Sequence, residues 1–225
     1  MKITVLLVLI FSHFCFSQMN SDYRIGGKIG MNISHIVRDE SSRSDFNDPY
    51  MKIGITFGFV VDKTINENTS IQGELVYNQV GSRWGNSMFE NPGHDHAVYN
   101  LEYVTIPIYF KLNSKIGDLF TDFDFLLGAS YSYNISAKQE VTIESYDEID
   151  YGPKNIRDEL NHNELGVLAG IKLPFYKDRI YFSLQYYWAL TRLYHSPTIA
   201  YPDELQNKSE FKNRSFTISF DVFIN

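Results

Sequence analysis

Apolar residues fall at every second position through eight long stretches of this chain, with polar or small residues between them. In the clearest stretch Phe123, Phe125, Leu127, Ala129, Tyr131, Tyr133 and Ile135 share one parity. Asp122, Asp124, Gly128, Ser130, Ser132, Asn134 and Ser136 share the other, and only Leu126 breaks the rule. The first stretch sets Tyr23, Ile25, Ile29, Met31 and Ile33 against Arg24, Gly26, Lys28, Gly30, Asn32 and Ser34. The second carries Ile53, Ile55, Phe57, Phe59 and Val61, and the last carries Phe216, Ile218, Phe220, Val222 and Ile224. A period of two belongs to a β-strand, whose successive side chains point to opposite faces; a helix would scatter these residues around its circumference.

The other four stretches follow the same rule: Ile71, Leu75 and Tyr77 in the third, and Val104, Ile106, Ile108, Phe110 and Leu112 in the fourth. Leu165, Val167, Ala169, Ile171, Leu173 and Phe175 mark the sixth, and Ile180, Phe182, Leu184, Tyr186, Trp188 and Leu190 the seventh. Each supplies the roughly 9–11 residues that a tilted strand needs to cross the hydrocarbon layer. The connectors alternate in length. Those at about 63–68, 114–121 and 176–179 are turn-like, with Asn66-Glu67-Asn68, Gly117-Asp118 and Lys177-Asp178, whereas those at about 37–50, 83–99, 138–162 and 194–212 are long and polar. The pattern predicts an all-β fold: an eight-stranded, antiparallel, closed transmembrane β-barrel of the smallest outer-membrane size, spanning residues 19–225 as one domain.

The first seventeen residues read as a cleaved signal peptide: Lys2, the apolar run Ile3 to Phe11, then Cys15-Phe16-Ser17 before Gln18. The run is short for a retained membrane helix, and Ser12-His13-Phe14 before Cys15 lacks the small residues of lipoprotein processing. Export with even strand number places the short turns in the periplasm and the long connectors outside. On that orientation Tyr23, Phe110, Phe123, Phe175, Phe182 and Phe220 fall at the periplasmic boundary, and Tyr77, Tyr131, Tyr133, Tyr186 and Trp188 at the outer one. These are the two aromatic girdles expected at headgroup level.

Charge narrows the function classes. The chain carries 20 basic and 27 acidic residues, a net charge of −7, and loss of Lys2 with the leader makes it one more negative. That balance argues against a nucleic-acid partner. Cys15 is the only cysteine, so the mature chain offers neither a disulfide nor a thiolate nucleophile or metal ligand. On the inward parity Arg24, Lys28, Lys52, Lys111 and Lys172 face Asp62, Glu74, Asp122, Asp124, Glu164 and Asp221. An eight-stranded barrel is just wide enough for its interior to be filled by side chains, so these charges are expected to plug it rather than line a selectivity filter. Two pairs are predicted, Lys111 with Asp124 and Arg24 with Asp221.

Candidate chemistry is sparse. His94-Asp95-His96 is the one dense group of metal-ligand types, but no third ligand accompanies it, and it reads as a solvated loop tip. His35, His162 and His195 lie near the outer strand ends with Ser34, Ser196 and Glu164 close in sequence, yet no motif joins them into the serine, histidine and acid of a lipid hydrolase or acyltransferase. Val60, Val76, Leu126 and Leu168 are too few among the inward positions for an internal lipid cavity. The connector 138–162 is acidic, with Glu140, Glu144, Asp147, Glu148, Asp150, Asp158 and Glu159 against Lys138, Lys154 and Arg157. It lacks the ordered spacing and glycine of a calcium loop and reads as a solvated face, open to bridging cations or a basic partner. No catalytic, cofactor-binding or metal residue is assigned, and the chain is expected not to be an enzyme. Outer-membrane lipid and lipopolysaccharide are its expected surroundings.

Particular residues on these strands resemble the PorT-like outer-membrane β-barrel family of the Bacteroidota. They are Gly27-Lys28-Ile29-Gly30-Met31-Asn32, Gly54 and Gly58, Gln72-Gly73-Glu74-Leu75-Val76-Tyr77 running to Gly81, and most specifically Leu101-Glu102-Tyr103-Val104-Thr105-Ile106-Pro107. Gly128, Gly166 and Gly170 fit as well. The resemblance implies an outer-membrane barrel without an assigned activity, and its named member points to an accessory role in type IX secretion. The end Phe223-Ile224-Asn225 departs from the terminal aromatic of the usual assembly signal. Pro107, which donates no ladder hydrogen bond, is expected to mark a bulge or kink.

Overall fold

The computed structural model describes residues 22–38, 50–85, 96–114, 123–143, 149–176, 179–194 and 211–224. Among these residues nine strands form, β1 (Tyr23–Arg38), β2 (Tyr50–Asn66), β3 (Thr69–Gly85), β4 (His96–Ser114), β5 (Phe123–Ile143), β6 (Ile149–Asn155), β7 (Asn163–Tyr176), β8 (Ile180–Ala189) and β9 (Phe211–Ile224). Eight close a ring of antiparallel pairs in the order β1, β2, β3, β4, β5, β7, β8, β9 and back to β1. Closure leaves these strands without an open edge, which hydrocarbon would not tolerate. β6 stands outside the ring and pairs only with the far end of β5.

Register then decides what meets lipid. On the outward parity Ile29, Ile53, Leu127, Phe175 and Ile224 are all more than 60% exposed, part of a contiguous apolar surface of the kind that faces an apolar solvent. The predicted girdles are present. Phe175 and Phe182 both pack on Phe220 near the short turns, with centroids 5.8 and 5.5 Å apart, while Tyr131, Tyr133, Tyr186 and Trp188 face outward at the opposite end. The β2–β3 turn is the tight one foreseen: Asn66 pairs with Thr69, and its Oδ1 accepts from the Asn68 amide at 3.0 Å.

Four expectations are corrected. The outer connectors are shorter than their polarity suggested, because β3 runs to Gly85, β4 starts at His96, and β5 continues to Ile143 against β6. Polar residues in these extensions face solvent beyond the membrane, so polarity there does not mark a strand end. Ser136 is not on the inward face. A bulge opposite Glu102 and Tyr103 skips Ile135, so Ser136 pairs with outward-facing Glu102 and Ala137 turns in, almost wholly buried. Pro107 makes no bulge; it keeps register with Ser130 of β5, and the missing N–H shows instead as a gap in the ladder to β3 between the Gly73–Ile108 and Val76–Thr105 pairs. Arg24 does not pair with Asp221, since the closing seam sets Lys28, not Arg24, opposite Asp221. The segment expected to be a signal peptide, Gly117-Asp118, Lys177-Asp178 and the connectors 39–49 and 195–210 lie outside the described residues.

Candidate functional site

The charged inward side chains of the lower lumen form one ionic layer. Arg24, Lys28, Lys111 and Lys172 meet Asp62, Glu74, Asp124 and Asp221, four cations to four carboxylates. Asp62 Oδ2 accepts from Arg24 at 2.7 Å and from Lys111 at 2.6 Å, and Lys111 also reaches Asp124 at 3.1 Å, as the sequence predicted for that pair. Lys172 lies 2.6 Å from Asp221 and donates to Gln72 Oε1 at 2.7 Å. Lys28 holds both oxygens of Glu74, at 2.6 and 2.7 Å, and is 3.8 Å from Asp221. Aromatic rings seal the charges: Phe223 stacks edge-on against Tyr181, and Arg24 and Lys172 lie 4.9 and 4.8 Å from the Phe223 centroid. Such pairs are stable in a narrow lumen because each charge that left water found a counter-charge and hydrogen bonds.

Above this layer uncharged side chains dominate the filling, and Glu164 lies among them. Tyr109, Leu126 and Leu168 pack together at mid-height, and the Tyr109 hydroxyl donates to Gln185 Oε1 at 3.1 Å. A small cavity of about 50 Å³ follows, lined among others by Asn32, Thr56, Asn78, Thr105 and Glu164. It has room for a little water and no room for a lipid chain. At the other end the lumen opens on a polar vestibule of about 310 Å³ beside the β2–β3 turn, floored by Arg24, Lys111 and Asp124.

An apolar cap then closes the outer end. Ile36, Leu101, Ala137, Ile156, Leu160, Leu193 and Phe211 form one cluster with Tyr99 and Tyr103, all buried. Ile156 and Leu160 flank a single 3₁₀ turn at Arg157–Glu159, and Leu193 follows β8. The backbone pins these segments across the barrel mouth. Ile156 N donates to Ala137 O at 3.0 Å, Asn161 N to Leu193 O at 2.8 Å and Leu193 N to Phe211 O at 2.8 Å. Sequence reasoning missed this cap because it sits in connectors read as polar. The signal was there, in Ile156 and Leu160 four residues apart within an acidic stretch, and in Leu193 among polar residues.

Among the described residues, those singled out for chemistry are not brought together. Ser34 points into the lumen and is buried, with its Oγ accepting from Gly81 N at 2.9 Å, while His35 beside it faces outward, opposite Arg214. Glu164 is buried and its oxygens accept from the Tyr187 hydroxyl and the Asn213 amide, both at 2.6 Å. His162 Nε2 lies 3.2 Å from Arg157 O and its ring meets Tyr133 edge-on. His94, His195 and Ser196 lie outside the described residues, as does the side chain of His96, whose backbone begins β4. Lys154 holds Glu159 at 2.9 Å, and Glu144, Asp147 and Glu148 of the acidic connector lie outside the description, as does the Asp150 side chain.

Among solved structures the chain is similar to Ail, the attachment invasion locus protein of Yersinia pestis, at 12% identity and TM-score 0.43, covering 90% of this chain and 99% of that one. It is also similar to the outer membrane protein OprG of Pseudomonas aeruginosa, at 10% identity and TM-score 0.43, covering 91% and 96%. Neisserial surface protein A is similar at 12% identity and TM-score 0.40, covering 89% and 96%. No curated protein matches the sequence. The sequence model of the outer membrane protein beta-barrel domain matches residues 16–195, and the chain is a member of that outer-membrane β-barrel family.

Proposed function

We infer that this outer-membrane barrel is not an enzyme and not a pore, and that it acts as a structural or interaction protein through the surface at its long-connector end. The observation that supports this reading is the filled lumen. Among the described residues four ion-paired cations, a largely uncharged layer and an apolar cap lie in series along the barrel axis, which argues against passage of solute or lipid. The same cap gives the outer end a fixed framework on which loops can present a surface. The resemblance to PorT-like barrels suggests the specific form of that role, an accessory subunit of a secretion machine.

The test is the native mass of the protein extracted in mild detergent after light crosslinking in cells, with mass spectrometry of whatever accompanies it. A large assembly containing secretion components is the expected result; a lone barrel would remove the accessory role and leave a freestanding surface protein. Planar bilayers should show no stepwise conductance, and overexpression should leave the mass of lipid A unaltered. Stepwise currents would restore the pore, and a new lipid A species would restore the enzyme.

A further inference from the structure

A chain of side-chain hydrogen bonds runs round one side of the small cavity between the ionic layer and the apolar cap. The Thr217 hydroxyl of β9 donates to Asn32 Oδ1 of β1, and Asn32 and Thr56 of β2 both donate to Asn78 Oδ1 of β3, at 3.3 and 2.7 Å. Asn78 Nδ2 donates in turn to Thr105 Oγ1 of β4 at 3.0 Å, and the Thr105 and Ser132 hydroxyls lie 3.0 Å apart. The other side of the cavity is Glu164 of β7, which the register sets opposite Ser132 of β5, with Tyr187 of β8 and Asn213 of β9 donating to its two oxygens. Each of the eight ring strands thus brings an oxygen-bearing side chain to one cavity.

Glu164 differs from the carboxylates below it in having no counter-charge. The four of the ionic layer are matched by four cations, whereas among the described residues Glu164 joins no ion pair although its side chain is buried. Lys28 lines the same cavity, but its ammonium is held by Glu74 with further contacts to Gln185 and Asp221. Arg214 lines it too, with its guanidinium turned outward onto the Trp188 ring. A buried carboxylate with hydrogen bonds and no compensating charge is costly, and the cavity of about 50 Å³ beside it has room for one small ion with water. Gln185 Nε2 is buried on the same cavity and has no hydrogen-bond partner, so water hydrating such an ion supplies its acceptor. Hydroxyl, amide and carboxylate oxygens are hard ligands, and a single carboxylate balances one positive charge, which suits an alkali cation rather than calcium.

We propose that this oxygen-lined cavity binds one alkali cation, sodium or potassium, with Glu164 as its charged ligand and the Thr105 and Ser132 hydroxyls among its neutral ones. The ion completes the charge balance of the lumen and ties β4, β5 and β7 together beneath the cap. The site goes beyond the interaction role above and does not depend on it. The folded barrel gathers these oxygens from strands far apart in sequence and the unfolded chain does not, so binding is read in the folding equilibrium.

The test is urea unfolding of the whole barrel in phosphatidylcholine vesicles, with sodium or potassium chloride replacing N-methylglucamine chloride at fixed ionic strength. N-methylglucamine is too large for the cavity and serves as the inert cation. Above the dissociation constant, each tenfold rise in one of the alkali ions should raise the folding equilibrium constant about tenfold. Glu164→Gln should lose that response, and Thr105→Val, which keeps the charge and removes one oxygen, should move it to higher ion concentration. Lys63→Gln, on the outward face at the opposite end, should respond as wild type. Heat-modified gel migration checks that each variant is folded, and Thr105→Val alone decides if Glu164→Gln fails to fold. No response to either alkali ion, stability that rises with acidity alone because the carboxyl is held as the neutral acid, or a wild-type response in Glu164→Gln or Thr105→Val would each overturn the proposal.

Discussion

Lys172 Nζ and Asp221 Oδ2 meet at 2.6 Å with both side chains completely enclosed, one reaching in from β7 and the other from β9 across the intervening β8. This pair and its neighbours fill the lower lumen, and its energetics are those of a buried ion pair: each partner is tolerable only because of the other.

Lys172→Met should therefore cost about 3–5 kcal/mol, because among the described residues Asp221 is left with Lys28 at 3.8 Å as its one cation. The double variant Lys172→Met with Asp221→Leu should recover much of the loss, since no charge is then stranded. Urea unfolding in lipid vesicles measures both. A double variant as unstable as the single one would show that the pair is needed for more than its mutual neutrality.

Gly166 is small for the sake of Tyr187. A Cβ added there would overlap the Tyr187 ring, which is held against Glu164 by its hydroxyl. Gly166→Ala should cost about 1–3 kcal/mol through this overpacking, and most of that cost should vanish in a Tyr187→Ala background. A cycle with no coupling between the two positions would sink the explanation.

Leu160 is fully buried in the cap yet belongs to a connector, so its loss should act locally. Leu160→Ala should loosen the cap by about 2–5 kcal/mol and speed proteolysis within residues 144–162, with the barrel's own resistance to unfolding barely changed. It should not make the barrel conduct, because the ionic layer below is intact. Currents from this variant would mean that the cap alone closes the lumen.

Ser34 tests whether a rim serine is structural. Its Oγ accepts from Gly81 N at 2.9 Å and donates to Gly81 O at 3.0 Å, fixing the one glycine with positive φ among the described residues. Removing the hydroxyl strands that buried amide, so Ser34→Ala should destabilise by about 1–3 kcal/mol while leaving lipid composition in the cell unchanged. A stable variant with altered lipid A would instead make Ser34 a nucleophile.

The alternation of Phe123 to Tyr133 or Ile53 to Val61 determined strand, facing and membrane environment by itself, because a strand with lipid on one side and a filled lumen on the other leaves no freedom at any position. It also placed Lys28, Lys111, Asp62 and Asp124 inside, and the strand order brought Lys111 to Asp124. What it left open was pairing at a distance. Arg24 goes to Asp62 and Asp221 to Lys172 because register across the closing seam is set by all eight strands at once, and a shift of four residues along one strand moves a charge roughly 13 Å. Ile135 could not announce its bulge, since either parity beyond it reads as plausible polar strand. Ile156, Leu160 and Leu193 were legible as apolar but not as a cap, because connectors carry no period, and only the closed ring gives them a common place to be buried.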